Sequence, residues 1–206
     1  MKRQKSLFAA LGLLAAWTAA ARAQEPRWTF RLQGFASDIS RLDTDDRYFK
    51  YHVRVKGKAG MGASIEARPG RYLGVELAGL WSHLDQHITT EYLPPLHPPE
   101  KIEEDHRVSL RILTVGFPIH LSPGGDVDLS ITPLAGAALY GAVPPFHTGQ
   151  NNPAYGLGLG LDWPFGNRNW ALSGTARLLE ADDEEIGLRP RWLLMRFFGL
   201  GISYRR

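Results

Sequence analysis

Apolar and polar positions alternate along most of this chain. From Ala59 to Ala67 the odd positions read Ala59, Met61, Ala63, Ile65 and Ala67, and the even ones Gly60, Gly62, Ser64 and Glu66. Leu73, Val75, Leu77 and Trp81 then alternate with Gly74, Glu76, Ala78 and Ser82. Tyr155, Leu157, Leu159, Leu161 and Trp163 alternate with Gly156, Gly158, Gly160 and Asp162, and Trp170, Leu172, Ala176 and Leu178 with Ala171, Ser173, Thr175 and Arg177. A period of two sends successive side chains to opposite faces of an extended strand. Eight such segments are predicted, over 27–37, 57–67, 71–83, 107–121, 126–142, 154–164, 169–179 and 191–204. Two read less cleanly. The fourth segment shifts phase near Ile112-Leu113, which suits a bulge, and Pro133 sits inside the fifth, at the cost of a ladder bond.

The connections alternate as well. Arg68-Pro69-Gly70, Ser122-Pro123-Gly124-Gly125 and Phe165-Gly166-Asn167-Arg168 are short turns, whereas 38–56, 84–106, 143–153 and 180–190 are long and polar. An even number of strands, with short turns at one end and long loops at the other, predicts an all-β fold: an eight-stranded antiparallel up-and-down transmembrane β-barrel. A sheet in lipid must close on itself, because every backbone group needs an internal partner. Its outer face is then apolar, and eight strands leave a lumen narrow enough for side chains to fill. A lipocalin-like soluble barrel would reverse the faces.

The first 23 residues change the setting. Lys2, Arg3 and Lys5 precede a run from Leu7 to Ala21 that is apolar except for Thr18, and Ala21-Arg22-Ala23 ends it. A basic end, a short apolar core and a small-x-small close make a cleaved signal peptide over 1–23, with the barrel over 24–206. The run is too short for a confident spanning helix. Export to the outer membrane follows, with both termini in the periplasm and 84–106 outside the cell. The charge balance shifts too: of 24 Lys and Arg the leader holds four, leaving 20 against 21 Asp and Glu. No basic stripe with interleaved aromatics remains, so nucleic-acid binding is discounted. There is no Cys, which excludes disulfides and thiolate chemistry.

Two residue sets follow from the strand phases. Arg31, Glu66, Glu76, Asp162 and Arg177 fall on the inward, glycine-rich face and carry both signs, which predicts a salt-bridged lumen. Trp28, Trp163, Trp170 and Tyr204 lie at the short-turn end, and Trp81, Tyr140, Tyr155 and Trp192, with Phe35, at the long-loop end. They form the two aromatic belts expected where a barrel crosses both interfaces. Tyr72 lies at the short-turn end in an inward phase. Arg196 shares the outward phase of Phe198, Leu200, Ile202 and Tyr204, at the height of the outer interface.

The stretch Ile119-His120-Leu121-Ser122-Pro123-Gly124-Gly125-Asp126-Val127-Asp128-Leu129, followed by Pro133-Leu134-Ala135-Gly136, resembles the central hairpin of small outer-membrane β-barrels of the outer membrane protein W type. So does Gly160-Leu161-Asp162-Trp163-Pro164 with Trp170-Ala171-Leu172. The resemblance covers essentially the whole mature chain. It implies eight strands, short turns in the periplasm and passage of small apolar molecules through a lateral opening.

The function expected is therefore a narrow pore or a lateral route for small molecules. The alternative is a structural or surface-interaction barrel with a closed lumen, and an outer-membrane lipid-modifying hydrolase stands third. His120-x-Ser122, with Asp126 or Asp128 as the orienting acid, has the residue types of a nucleophile and its base. The turn Pro123-Gly124-Gly125 explains the same sequence without chemistry. His83, Asp85 and His87 alternate near the start of the longest loop, with His97 and His106 beyond, but at no metal-motif spacing. The acidic run Asp182 to Glu185 could share divalent cations with lipopolysaccharide phosphates; it reads first as a solvated tip, and Asp43, Asp45 and Asp46 read the same way. Pro94, Pro95, Pro98 and Pro99 stiffen an exposed loop. No cofactor, catalytic or metal site is called for. The expected partners are outer-membrane lipids, lipopolysaccharide and the barrel-assembly machinery.

Overall fold

A computed structural model describes residues 27–39, 42–45, 49–92, 100–141, 150–166, 169–183 and 191–206. The leader assigned to 1–23, the prolines of 94–99 and the acidic positions 46, 184 and 185 lie outside the described residues. The strands are β1 (Arg27–Ile39), β2 (Leu42–Asp45), β3 (Phe49–Gly57), β4 (Gly60–Arg68), β5 (Val75–Tyr92), β6 (Glu100–Gly116), β7 (Ile119–His120), β8 (Asp128–Tyr140), β9 (Gln150–Phe165), β10 (Trp170–Asp183) and β11 (Arg191–Arg205).

Every pairing is antiparallel, and the sheet closes where β1 meets β11. β3 with β4 forms one stave and β6 with β7 another, so eight staves run round the barrel: β1, β3/β4, β5, β6/β7, β8, β9, β10 and β11. Alternation decides the faces. Phe30, Leu32, Leu77, Leu113, Leu159, Leu172, Leu200 and Ile202 are all exposed on the outside, while their neighbours in sequence are covered within. This apolar exterior runs round the whole wall and is far larger than the patches soluble monomers expose.

The turns at one end use their glycines for geometry. Gly124 has φ 82° in the turn between β7 and β8, and Gly166 has φ 59° after β9, both in the left-handed region. Gly125 N–H donates to Ser122 O at 3.2 Å. After Arg68 the chain takes six residues to reach Val75, with Leu73 bridged to Ile119 and His120 N–H donating to Tyr72 O at 2.7 Å.

The other end differs from the sequence expectation. Residues 84–106 are not a loop from end to end: β5 and β6 stay paired from Glu76–Gly116 up to Tyr92–Glu100. β2 and β3 form a second hairpin inside 38–56, laid against β5. Hydrophobic alternation fades there because polar residues occupy both faces, yet the ladder bonds continue.

Lys58 and Ala59 make the bulge. Gly57 pairs with Leu84 but Met61 with Trp81, so β3/β4 spends four steps where β5 spends three. One inserted residue reverses the phase above it. The carbonyl of Lys58 is held by the hydroxyls of Ser37 at 3.0 Å and Ser82 at 3.1 Å. No phase change occurs at Ile112-Leu113: Val108, Leu110, Ile112 and Thr114 all face in and Leu113 faces out. Both positions are apolar because the interior at that height is apolar too. Pro133 faces outward, opposite the break at Phe117-Pro118 where the β6/β7 ladder is already interrupted; its carbonyl still accepts from Phe117 N–H at 3.1 Å.

Candidate functional site

The lumen is filled in two layers. The layer nearer the short turns is ionic. Arg31 on β1 donates to Glu66 on β4 at 2.8 Å and to Asp162 on β9 at 2.9 Å, and lies 3.8 Å from Glu76 on β5. Arg177 on β10 pairs with Glu76 across the lumen and reaches Thr114 on β6 at 3.4 Å. All five are buried. A charge in a closed barrel is tolerated only with counter-charges and hydrogen bonds in place.

Four further residues extend this set. Arg68 donates to Glu66 at 3.2 Å and to Asp128 at 3.1 Å. Arg205 donates to Asp162 at 3.0 Å and to Asp128 at 3.3 Å. His120 lies between two carboxylates, with Nε2 2.7 Å from Glu66 and Nδ1 2.9 Å from Asp128. Each ring nitrogen is thus within hydrogen-bond distance of a carboxylate oxygen. Arg31, Arg68, Arg177 and Arg205 thus stand against Glu66, Glu76, Asp128 and Asp162, with His120 the added proton donor. The signal for the missed members is phase: Arg68 shares that of Glu66, Asp128 that of Ser130 and Thr132, and Arg205 that of Ser203.

The layer nearer the long hairpins is apolar. Phe35, Leu80, Leu84, Val108, Leu110, Ile112, Leu134, Leu179, Met195 and Phe197 pack into one cluster, with Phe35 and Phe197 edge to face at 5.4 Å. Tyr140 packs against it and sends its hydroxyl to Met195 Sδ at 3.8 Å. Tyr140 and Phe35 therefore do not belong to an outer aromatic belt: they share the inward phase of Ala138 and Gln33. Tyr72 corrects the other way and is exposed. Trp28, Trp81, Tyr155, Trp163 and Trp170 face outward, and Tyr204 stacks on Trp170 at 4.9 Å. The Trp192 side chain is outside the described set. Arg196 faces outward and donates to Asp38, its register partner on β1, at 2.9 Å.

The candidate chemistry does not assemble. Ser122 donates to Val127 O at 2.7 Å and accepts from Leu129 N–H at 3.1 Å, so its hydroxyl serves the turn, while both nitrogens of His120 are held by Glu66 and Asp128. Asp85 is taken by Lys58 at 2.7 Å and Arg107 at 3.6 Å, and His87 by Asp105 at 2.8 Å. Among the described residues no three His, Asp or Glu side chains converge on a metal position.

A closed eight-stranded antiparallel barrel with an apolar exterior and a side-chain-lined interior is the class that these features define. The fold is shared with OprG, an outer membrane protein of Pseudomonas aeruginosa (TM-score 0.61, 14% identity, 88% of this chain and 96% of that one). It is also similar to Neisserial surface protein A (TM-score 0.58, 9% identity, 86% and 96%) and to the outer membrane protein AlkL in lipid bilayers (TM-score 0.56, 14% identity, 89% and 91%). No protein-family model and no curated protein sequence matches the chain.

Proposed function

We propose that the chain is an integral outer-membrane barrel with a closed lumen, a structural or surface-interaction protein that presents its long hairpins outside the cell. Both termini and the short turns then lie in the periplasm. The leader sequence, the apolar exterior and the outward tryptophans at both ends support the setting. One observation carries the closed lumen: the ionic layer spans the barrel at one height and the apolar cluster fills it at another. A water-filled path would have to breach both.

A second reading, a route for small apolar molecules, rests on the upper cluster. Its leucines, phenylalanines and Met195 form an apolar cluster in the upper interior that a small apolar molecule would match. Planar-bilayer recording on the refolded mature protein tests the choice. The closed barrel is expected to show no steady ion conductance, whereas steady channels would reject it. Silence together with uptake of an apolar solute by cells carrying the protein would favour the second reading.

A further inference from the structure

The strand β3 carries basic residues at every second position: Lys50, His52, Arg54, Lys56 and, at the bulge, Lys58. Val55, between them, is buried against the interior, so this row faces away from the barrel axis. Register sets Lys56 opposite Asp85, and Asp85 opposite Arg107. Lys58 reaches the same carboxylate at 2.7 Å and Arg107 lies 3.6 Å from it. One carboxylate thus serves two cations, with Lys56 beside it in register. Arg111, exposed on the same wall, pairs in register with Trp81. Neither Lys56 nor Arg111 has an ion pair among the described residues. Arg54, Lys56, Lys58 and Arg107 line an open groove that also holds the carboxylates of Asp85 and Asp105.

Height decides what meets this face. Trp81 is outward-facing at the hairpin end, where an aromatic marks the boundary of the apolar layer. Asp85 is four residues further along β5, about 13 Å at roughly 3.3 Å per residue. Lys56, Lys58 and Arg107 therefore stand beside the headgroup layer of the outer leaflet, pointing sideways into it. On the neighbouring staves β1 and β11 the exposed Arg196 is paired with Asp38.

We infer that this face seats the phosphate monoesters of an outer-leaflet glycolipid beside the barrel. A phosphate monoester carries up to two charges and three acceptor oxygens, which suit a lysine pair and an arginine fork converging from adjacent strands. The inference rests on the outer-membrane reading above.

The test uses the mature protein refolded into phosphatidylcholine nanodiscs that hold a small fraction of bisphosphorylated lipid A. Retained lipid is read by native mass spectrometry. The variant Lys56→Gln/Lys58→Gln/Arg107→Gln is expected to weaken retention on the order of a hundredfold, at roughly fivefold for each charge beside an anionic surface. Wild-type protein is expected to discriminate against dephosphorylated lipid A, an arm that needs no variant to fold. Equal retention of the two lipid A forms, or a triple variant that binds like wild type, overturns the inference. So does phosphatidylglycerol held as tightly through the same residues, since that shows charge attraction without a monoester seat. Failure of the wild-type chain to enter nanodiscs would instead overturn the membrane reading on which the inference rests.

Discussion

Arg177 and Glu76 meet across the full width of the barrel, from staves that lie four apart in a ring of eight. Neither end of this pair has a comparable alternative, apart from Arg31 at 3.8 Å from Glu76. Arg177→Ala leaves a buried carboxylate short of its partner and should destabilise the refolded barrel by about 3 kcal/mol. Replacing both residues by leucine should recover most of that loss, because an apolar pair of similar volume avoids the desolvation cost. Denaturation midpoints of the single and double variants measure both effects. An unchanged midpoint for Arg177→Ala would mean a hydrated lumen.

His120 and Ser122 should behave unlike a catalytic pair. His120→Leu strips a donor from both Glu66 and Asp128 and should cost on the order of 3 kcal/mol, as the loss of one partner of a buried ionic group does. Ser122→Ala removes bonds of a partly exposed turn, about 1 kcal/mol. Refolding yield and heat-modifiable electrophoretic mobility give the order. Equal costs would contradict the network.

Acid should loosen the outer hairpins before the barrel. The ammonium of Lys58, then the guanidinium of Arg107, hold the Asp85 carboxyl below its usual range. A carboxylate with a depressed folded-state pKa contributes stability above the ordinary value near 3.9 and loses it as pH falls through the depressed one. Amide exchange at Lys56, Asp85 and Arg107 should therefore accelerate at the acid end of that window while barrel amides stay protected. Exchange that is flat with pH there would show that the row contributes nothing.

Close strand approach makes one glycine position strict and another tolerant. A Cβ on Gly156 would lie 1.9 Å from the carbonyl oxygen of Leu178, a backbone atom that cannot swing aside. A Cβ on Gly34 meets nothing within 4 Å. Gly156→Ala should lower refolding yield severely, whereas Gly34→Ala should leave the yield and the melting temperature close to wild type. A Gly156→Ala barrel that refolds normally would show that β9 and β10 can separate there.

The strands were legible where one face was apolar throughout and the other polar or glycine-rich. Leu157 to Trp163 read cleanly for that reason, and so did the short turn at Gly124. Legibility failed where the two faces became alike. At Ile112-Leu113 both are apolar, so a regular strand looked like a phase change, and the apolar half of the lumen went unread. Along Asp85 to Glu91 both are polar, so a continued ladder looked like a loop. The single residue added at Lys58-Ala59 changes no local composition and shows only in pairing. For the ionic layer, period-two counting sets a phase for Arg31, Glu66 and Asp162. It carries no information on which stave faces which, and the position of His120 between Glu66 and Asp128 depends on contacts 54 and 8 residues apart.

Asp162 receives one arginine from the first stave and one from the last, Arg31 at 2.9 Å and Arg205 at 3.0 Å. Those two staves form the seam that joins the ends of the chain, and they come together only when the ring shuts. Before that moment Asp162 on β9 lacks Arg31, which reaches it only across the seam, whereas Arg205 stands two staves away on its own side. The interior thus adds a reward at the final zippering step. An open ring leaves this carboxylate one partner short, so closure should be cooperative, with the seam acting as the latch.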